Sequence, residues 1–157
     1  LDDDVTSYPG YVEDRLFPSW YRHKHHNRQV CRVCTDCWNN DDSVCDIAPE
    51  LNCQATGCED ICIVKRHRQN QRNQPFVHVG LIASGDSVLK SATHRDQIAE
   101  NENVIAFEME GAGAWDALPC VVIKGVCDYA DSHKNKLWQK YAAITAAACA
   151  REFIQHW

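Results

Sequence analysis

The sequence predicts an α/β fold, and two observations carry that expectation. After residue 75, β-rich runs alternate with helical patterns across short connections. The runs 104–107 and 120–126 are also nearly continuous in apolar residues, the character of parallel strands covered on both faces.

Each element has its own signal. Residues 76–83 form a β-rich run that ends in the turn signal Ser84-Gly85-Asp86. Thr93 is placed to cap a helix running to about Asn101. The run 104–107 reads as a short buried strand, 109–117 as a helix of small apolar residues, and 120–126 as a second buried strand. The last helix has the clearest periodicity. Trp138, Tyr141, Thr145, Ala148, Glu152 and Gln155 advance by three or four, and Ala142, Cys149, Phe153 and Trp157 widen the stripe. Trp115, Trp138 and Trp157 read as packing or subunit contact.

Residues 1–75 read differently. Pro9, Gly10, Pro18, the stretch 39–42 and Pro49 punctuate short apolar pieces, and 65–74 is a basic, amide-rich linker expected to be exposed. The chain therefore divides into an irregular Cys-rich segment, 1–75, and an α/β segment, 76–157.

Composition narrows the function classes. A chain of 157 residues with 45% hydrophobic residues has enough material for one core. A net charge of −6 argues against a nucleic-acid partner, whose phosphates demand a basic surface. The local basic cluster from Arg22 to Arg28 reads as a solvated loop. No apolar stretch approaches the ~20 residues that span a bilayer, so no membrane association is expected and a cytoplasmic location is. The start at Leu1 is expected of a processed or truncated piece.

Two acidic motifs fall where such sheets hold ligands, at the carboxyl ends of strands. Phe107-Glu108-Met109-Glu110-Gly111-Ala112-Gly113 closes the first strand and Gly125-Val126-Cys127-Asp128-Tyr129-Ala130-Asp131 closes the second. An Asp just past a buried strand is expected to be poorly solvated, with a raised proton affinity that suits a general acid. Structural readings stand beside these: Glu108 and Glu110 as acids at a helix N-terminus, Asp128 or Asp131 as caps of the last helix. His133 and Lys134 either face a polar end of a substrate or serve the start of that helix.

With Gly80-Leu81-Ile82-Ala83-Ser84-Gly85-Asp86 and Ile123-Lys124-Gly125-Val126-Cys127-Asp128-Tyr129-Ala130-Asp131-Ser132-His133-Lys134-Asn135, these motifs make residues 80–154 resemble the C-terminal half of the nucleoside phosphorylase and nucleosidase superfamily, in its fungal branch. Asp14-Arg15-Leu16-Phe17, Tyr21-Arg22-His23-Lys24-His25 and the cysteine segment resemble the insertion of those fungal proteins. The resemblance implies part of a phosphorylase/hydrolase-like three-layer sandwich that cleaves the N-glycosidic bond of a purine nucleoside or nucleotide. It implies that Glu110 grips the ribose hydroxyls with Met109 against the sugar and Glu108 beside it. It further implies that Asp128 meets N7 of the leaving base and that Val88 and Leu89 line the base pocket. Such residues would answer the positive charge that forms on the ribose and the negative charge that leaves with the base.

The family's N-terminal half carries the phosphate loop or the carboxylate that activates water, and residues 1–75 hold cysteines and turns instead. The isolated chain is accordingly expected to be a poor catalyst. Phosphate is the co-substrate if the reaction is phosphorolysis, and no cofactor is implied. A non-catalytic sensor of nucleosides or nucleotides, or an effector that destroys ATP, within a larger fungal signalling protein is the alternative. A homo-oligomer or a multidomain chain fits either.

Seven of the ten cysteines lie between Cys31 and Cys62. Idle or buried thiols are the default reading; zinc on Cys31, Cys34 and Cys37, completed by His23, His25 or His26, is the alternative. Disulfides are a third reading, disfavoured by the odd local number. Cys120, Cys127 and Cys149 read as core.

Overall fold

The computed structural model describes residues 7–39, 42–66 and 74–156. Most of the expected linker 65–74, and Trp157 of the last stripe, lie outside the described residues.

The α/β segment begins with a β–α–β unit. Strand β1 (Leu81–Ser84) leads through a long helix to strand β2 (Val104–Glu108), and the two strands pair in parallel, Ile82 opposite Ala106 and Ser84 opposite Glu108. Parallel strands need a crossover of this kind, because a tight hairpin joins only antiparallel neighbours. The Cys-rich segment contributes two short helices, α1 (Arg32–Thr35) and α2 (Cys53–Thr56). Helix α2 is closed at both ends: Asn52 accepts from the Ala55 amide, and Gly57 takes the left-handed φ of 76° that a side chain resists. The crossover is α3 (Ala92–Glu102); after it come α4 (Gly111–Trp115) and α5 (Leu137–His156).

Burial concentrates in an unexpected place. Phe17, Tyr21, Cys34, Cys37 and Ala48 are buried, together with His23, His25, Thr56, Asp131 and His133. Phe17 stacks on His133 with ring centroids 4.2 Å apart and on Tyr21 at 5.2 Å; Tyr21 in turn stacks on His26 at 4.6 Å. The column joins the Cys-rich segment to the loop before α5. The His23 amide donates to Ser132 Oγ at 3.0 Å, Trp138 Nε1 to the Glu13 carbonyl at 2.9 Å, and Tyr129 Oη to Asp14. By contrast Leu81, Ile105, Val121 and Val126 are exposed, so the sheet region leaves apolar surface bare.

Several expectations change. The run 120–126 belongs to no ladder among the described residues, since β2 pairs there with β1 alone. An apolar run supplies the faces of a strand, but the strand itself exists only where a neighbour offers its backbone. The run lies against α5 instead. A Cβ on Gly125 would collide with the Ala142 carbonyl, so only glycine permits this approach. Ser91 rather than Thr93 caps α3, accepting from the His94 amide at 3.3 Å, while Thr93 donates to the Ser19 carbonyl. The β1 ladder begins at Leu81, five residues into the expected run, and α4 occupies only the centre of 109–117. On α5 the covered face is Trp138, Tyr141, Ala142, Thr145, Ala146 and Cys149, and Ala148, Glu152, Phe153 and Gln155 of the expected stripe are exposed. Among the described residues, no helix is long and apolar enough to cross a membrane.

Candidate functional site

The end of β2 and the turn into α4 set the first half of the site. Glu108 points inward and is 6% exposed. Its Oε2 accepts from the amides of Glu110 at 2.8 Å and Gly111 at 2.7 Å. A hydrogen bond from Ser84 chiefly, and then those two amides, holds its carboxyl below the ordinary carboxylate range. Gly111 makes this closure feasible, for a Cβ there would stand 2.5 Å from Glu108 Oε1. The Ala112 amide donates to Ser84 Oγ at 2.8 Å, joining the tip of β1 to the same turn.

Glu110 is free of that closure. Its side chain is 83% exposed, 4.0 Å from Lys124 Nζ. It borders an open groove of about 520 Å³ whose other walls are Glu108, the run 120–125, Cys127 and the Ala-rich face of α5. That volume lies in the range of small-molecule sites, roughly 300–1,000 Å³.

Asp128 begins the second half. Its Oδ1 accepts from the Ala130 amide at 2.8 Å, and its Oδ2 lies 3.1 Å from Lys134 Nζ. Its side chain is 22% exposed, so it is a partly sheltered carboxylate with a cation beside it rather than an isolated buried acid. Ala130 sits at a φ of 51°, a left-handed conformation that costs a non-glycine residue about 1 kcal/mol and that the Asp128 contact helps to hold. Asp128 lines a smaller cavity of about 120 Å³ with Asp14, Arg15, Tyr129, Asn135 and Trp138. Cys127 lines both cavities. Burial pushes the Cys127 thiol up, and the Asp128 carboxylate 3.7 Å away acts in the same sense.

Among the sequence candidates, Glu108, Glu110 and Asp128 line these cavities. Met109 is exposed, its amide donating to Glu110 Oε2 at 3.2 Å. Val88 and Leu89 line neither cavity: the stretch after Ser84-Gly85-Asp86 runs irregularly at the surface, with Val88 exposed and Leu89 half-buried. Lys124 and Lys134 gain importance by standing beside the two acids. The place of Lys124 in the same motif as Asp128 is the signal that could have marked it.

All ten cysteines are free thiols. Cys31 and Cys34 gather with His25 and Cys45, whereas Cys37 stands apart, its sulfur 3.1 Å from an Arg22 guanidinium nitrogen. The residues that gather are therefore not the Cys31, Cys34 and Cys37 trio that x2 spacing suggests. The chain turns through α1 after Cys31 and carries Cys37 away.

Comparison with known proteins yields two kinds of relative. A nucleotide-binding leucine-rich repeat (NLR)-like protein from the fungus Hyaloscypha variabilis is 46% identical over 111 residues, which are 71% of this chain and 11% of that protein. ATP nucleosidase Cap17 from Escherichia coli is 26% identical over 87 residues, 52% of this chain and 17% of that protein. The chain thus matches only a small fraction of the length of either relative. No family model matches the chain. No solved structure matches it.

Proposed function

We propose that this chain is part of a nucleosidase module in a larger signalling protein, and that the module hydrolyses the N-glycosidic bond of an adenine nucleotide. One observation supports the reading: Glu110 lines the groove and Asp128 the smaller cavity, and Cys127 is a wall of both. The likeness to an NLR-like protein and to an ATP nucleosidase favours a nucleotide-destroying effector over an enzyme of free nucleosides. In this reading the β–α–β unit is one part of a three-layer sandwich.

Glu110 accepts the ribose 2′- and 3′-hydroxyls, with Met109 against the sugar, and its negative charge favours the cationic ribose of the transition state. Lys124 stands 4.0 Å from Glu110 and puts a positive charge at the sugar end, where the phosphates of a nucleotide extend. Asp128, a carboxylate in the free chain, takes up a proton from solvent and gives it to N7 as the C1′–N9 bond breaks and its electron pair leaves with the base. Lys134, 3.1 Å away, stabilises the carboxylate left behind. Water adds to C1′ and loses its proton to solvent. Glu108, already closed by Ser84 and two amides, fixes the turn that presents Glu110.

The test is to incubate the chain, alone and within a polypeptide of its relatives' full length, with ATP, adenosine, inosine and methylthioadenosine, with and without phosphate. Chromatography should show free adenine from ATP in the absence of phosphate. Base released only when phosphate is present would make the module a phosphorylase, and tight ATP binding without any free base would make it a sensor.

A further inference from the structure

We propose that the Cys-rich segment binds two structural zinc ions, one on His25, Cys31, Cys34 and Cys45, the other on His23, Cys53, Cys58 and His133. The donor atoms of the first set all lie within 4.8 Å of one another, as do those of His23, Cys58 and His133 in the second. His25 Nδ1 is 3.7 Å from Cys34 Sγ and 3.4 Å from Cys45 Sγ. His23 Nδ1 is 3.8 Å from Cys53 Sγ and 3.6 Å from Cys58 Sγ. With Zn–S near 2.3 Å and Zn–N near 2.0 Å, the edges of a tetrahedral site are roughly 3.5–3.8 Å, the spacing these pairs show.

Hydrogen bonding does not account for the convergence. A ring nitrogen has either one lone pair or one proton, yet two sulfurs face the same nitrogen in each cluster. An ion shared by all the donors satisfies them together. The hydrogen bonding of His23 agrees: its Nε2 lies 2.9 Å from the Leu51 carbonyl, which can only accept, so Nε2 carries a proton and Nδ1 is the nitrogen turned toward the thiols.

His133 supplies an independent sign. Its ring is buried, and Nε2 has no hydrogen-bond partner among the described residues. A buried polar atom without a partner costs free energy that a metal bond would recover. On its other side Nδ1 faces Asp131 Oδ2 at 3.9 Å, itself unpartnered, in the carboxylate–histidine order found behind zinc ligands. Thiolate and imidazole donors, four clustered in the first set and three in the second with Cys53 reaching it through His23, select zinc over the hard cations, which prefer oxygen.

The two ions differ in what they join. The first closes α1 onto Cys45 and His25 within the Cys-rich segment. The second reaches from His23, Cys53 and Cys58 to His133, in the loop that carries Asp128 and Asp131, and so pins that loop to the buried centre. Metal content is read without any assay of base release, so this inference stands or falls apart from the proposed reaction.

The measurement is zinc content by elemental analysis after exhaustive dialysis, with thiol reactivity counted before and after a strong chelator. About two zinc ions per chain are expected. Cys45→Ser should lose one and keep the other, and His133→Ala should do the same for the second site. Because either variant can misfold, cobalt is also titrated into the unchanged chain, where tetrahedral thiolate sites give intense visible absorption that zinc displaces. A zinc-free chain whose cluster thiols react freely, a disulfide between Cys53 and Cys58, or full zinc in both variants would overturn the assignment.

Discussion

At Glu108 a carboxylate is enclosed by its own turn, taking two backbone amides and the Ser84 hydroxyl. Its carboxyl titrates below the ordinary value of 4.5. Its stabilising contribution is therefore complete above that pH and is lost as pH falls through the lower folded value. Glu110, Lys124 and Ser84 face it and share its surroundings. Acid titration of stability should show this loss in the parent chain, and Glu108→Gln should flatten it; an unchanged slope would remove Glu108 from its place in the turn. Gly111→Ala tests the same closure by crowding, with an expected cost of about 1–3 kcal/mol in denaturant unfolding. The sequence shows two acids flanking a methionine but does not reveal which turns inward. A continuing strand would put Glu108 and Glu110 on one face, yet β2 ends at Glu108 and the backbone turns, separating a buried acid from an exposed one.

At the scale of elements, helix periodicity was the legible signal and its ends were not. Ser91 and Thr93 both carry the hydroxyl a cap needs. The choice rests on backbone angles, and Ser91 has the extended φ of −106° and ψ of 111° that caps adopt. Ser91→Ala should therefore cost about 1 kcal/mol of stability. Thermal unfolding of this variant beside Thr93→Ala checks the assignment, and a larger loss at Thr93 would reverse it. The β–α–β order was readable because period and turn chemistry are local. The apolar content of the run 120–126 predicts a strand, but ladder pairing is a property of two segments. Gly125, which lets this run approach α5, carried no sign in the sequence of what it would meet.

Across the whole molecule, the buried centre lies where the sequence showed only turns and cysteines. Phe17, Tyr21, His23 and His133 meet across more than a hundred residues of chain, and no periodicity encodes such a meeting. The division at residue 75 marks a change of composition, yet hydrogen bonds cross it: the His23 amide donates to Ser132, while Glu13, Asp14 and Ser19 accept from Trp138, Tyr129 and Thr93. One result of that crossing is that Asp14 and Arg15 become walls of the cavity at Asp128. The motifs placed Glu110 and Asp128 at the tips of two runs; the fold adds Lys124 and Lys134 beside them.

The most direct probe of these two acids is adenine release from ATP by a full-length active protein, compared with its Asp128→Asn and Glu110→Gln forms. Asp128→Asn should lower kcat by about 10²–10⁴ with KM little changed, the range a lost general acid gives. Glu110→Gln should raise KM through lost ribose recognition and lower kcat as well, since its charge favours the transition state. Full turnover in the Asp128→Asn protein would mean that the proton reaches the base from elsewhere, and that the pairing of Glu110 with Asp128 across one nucleotide is wrong.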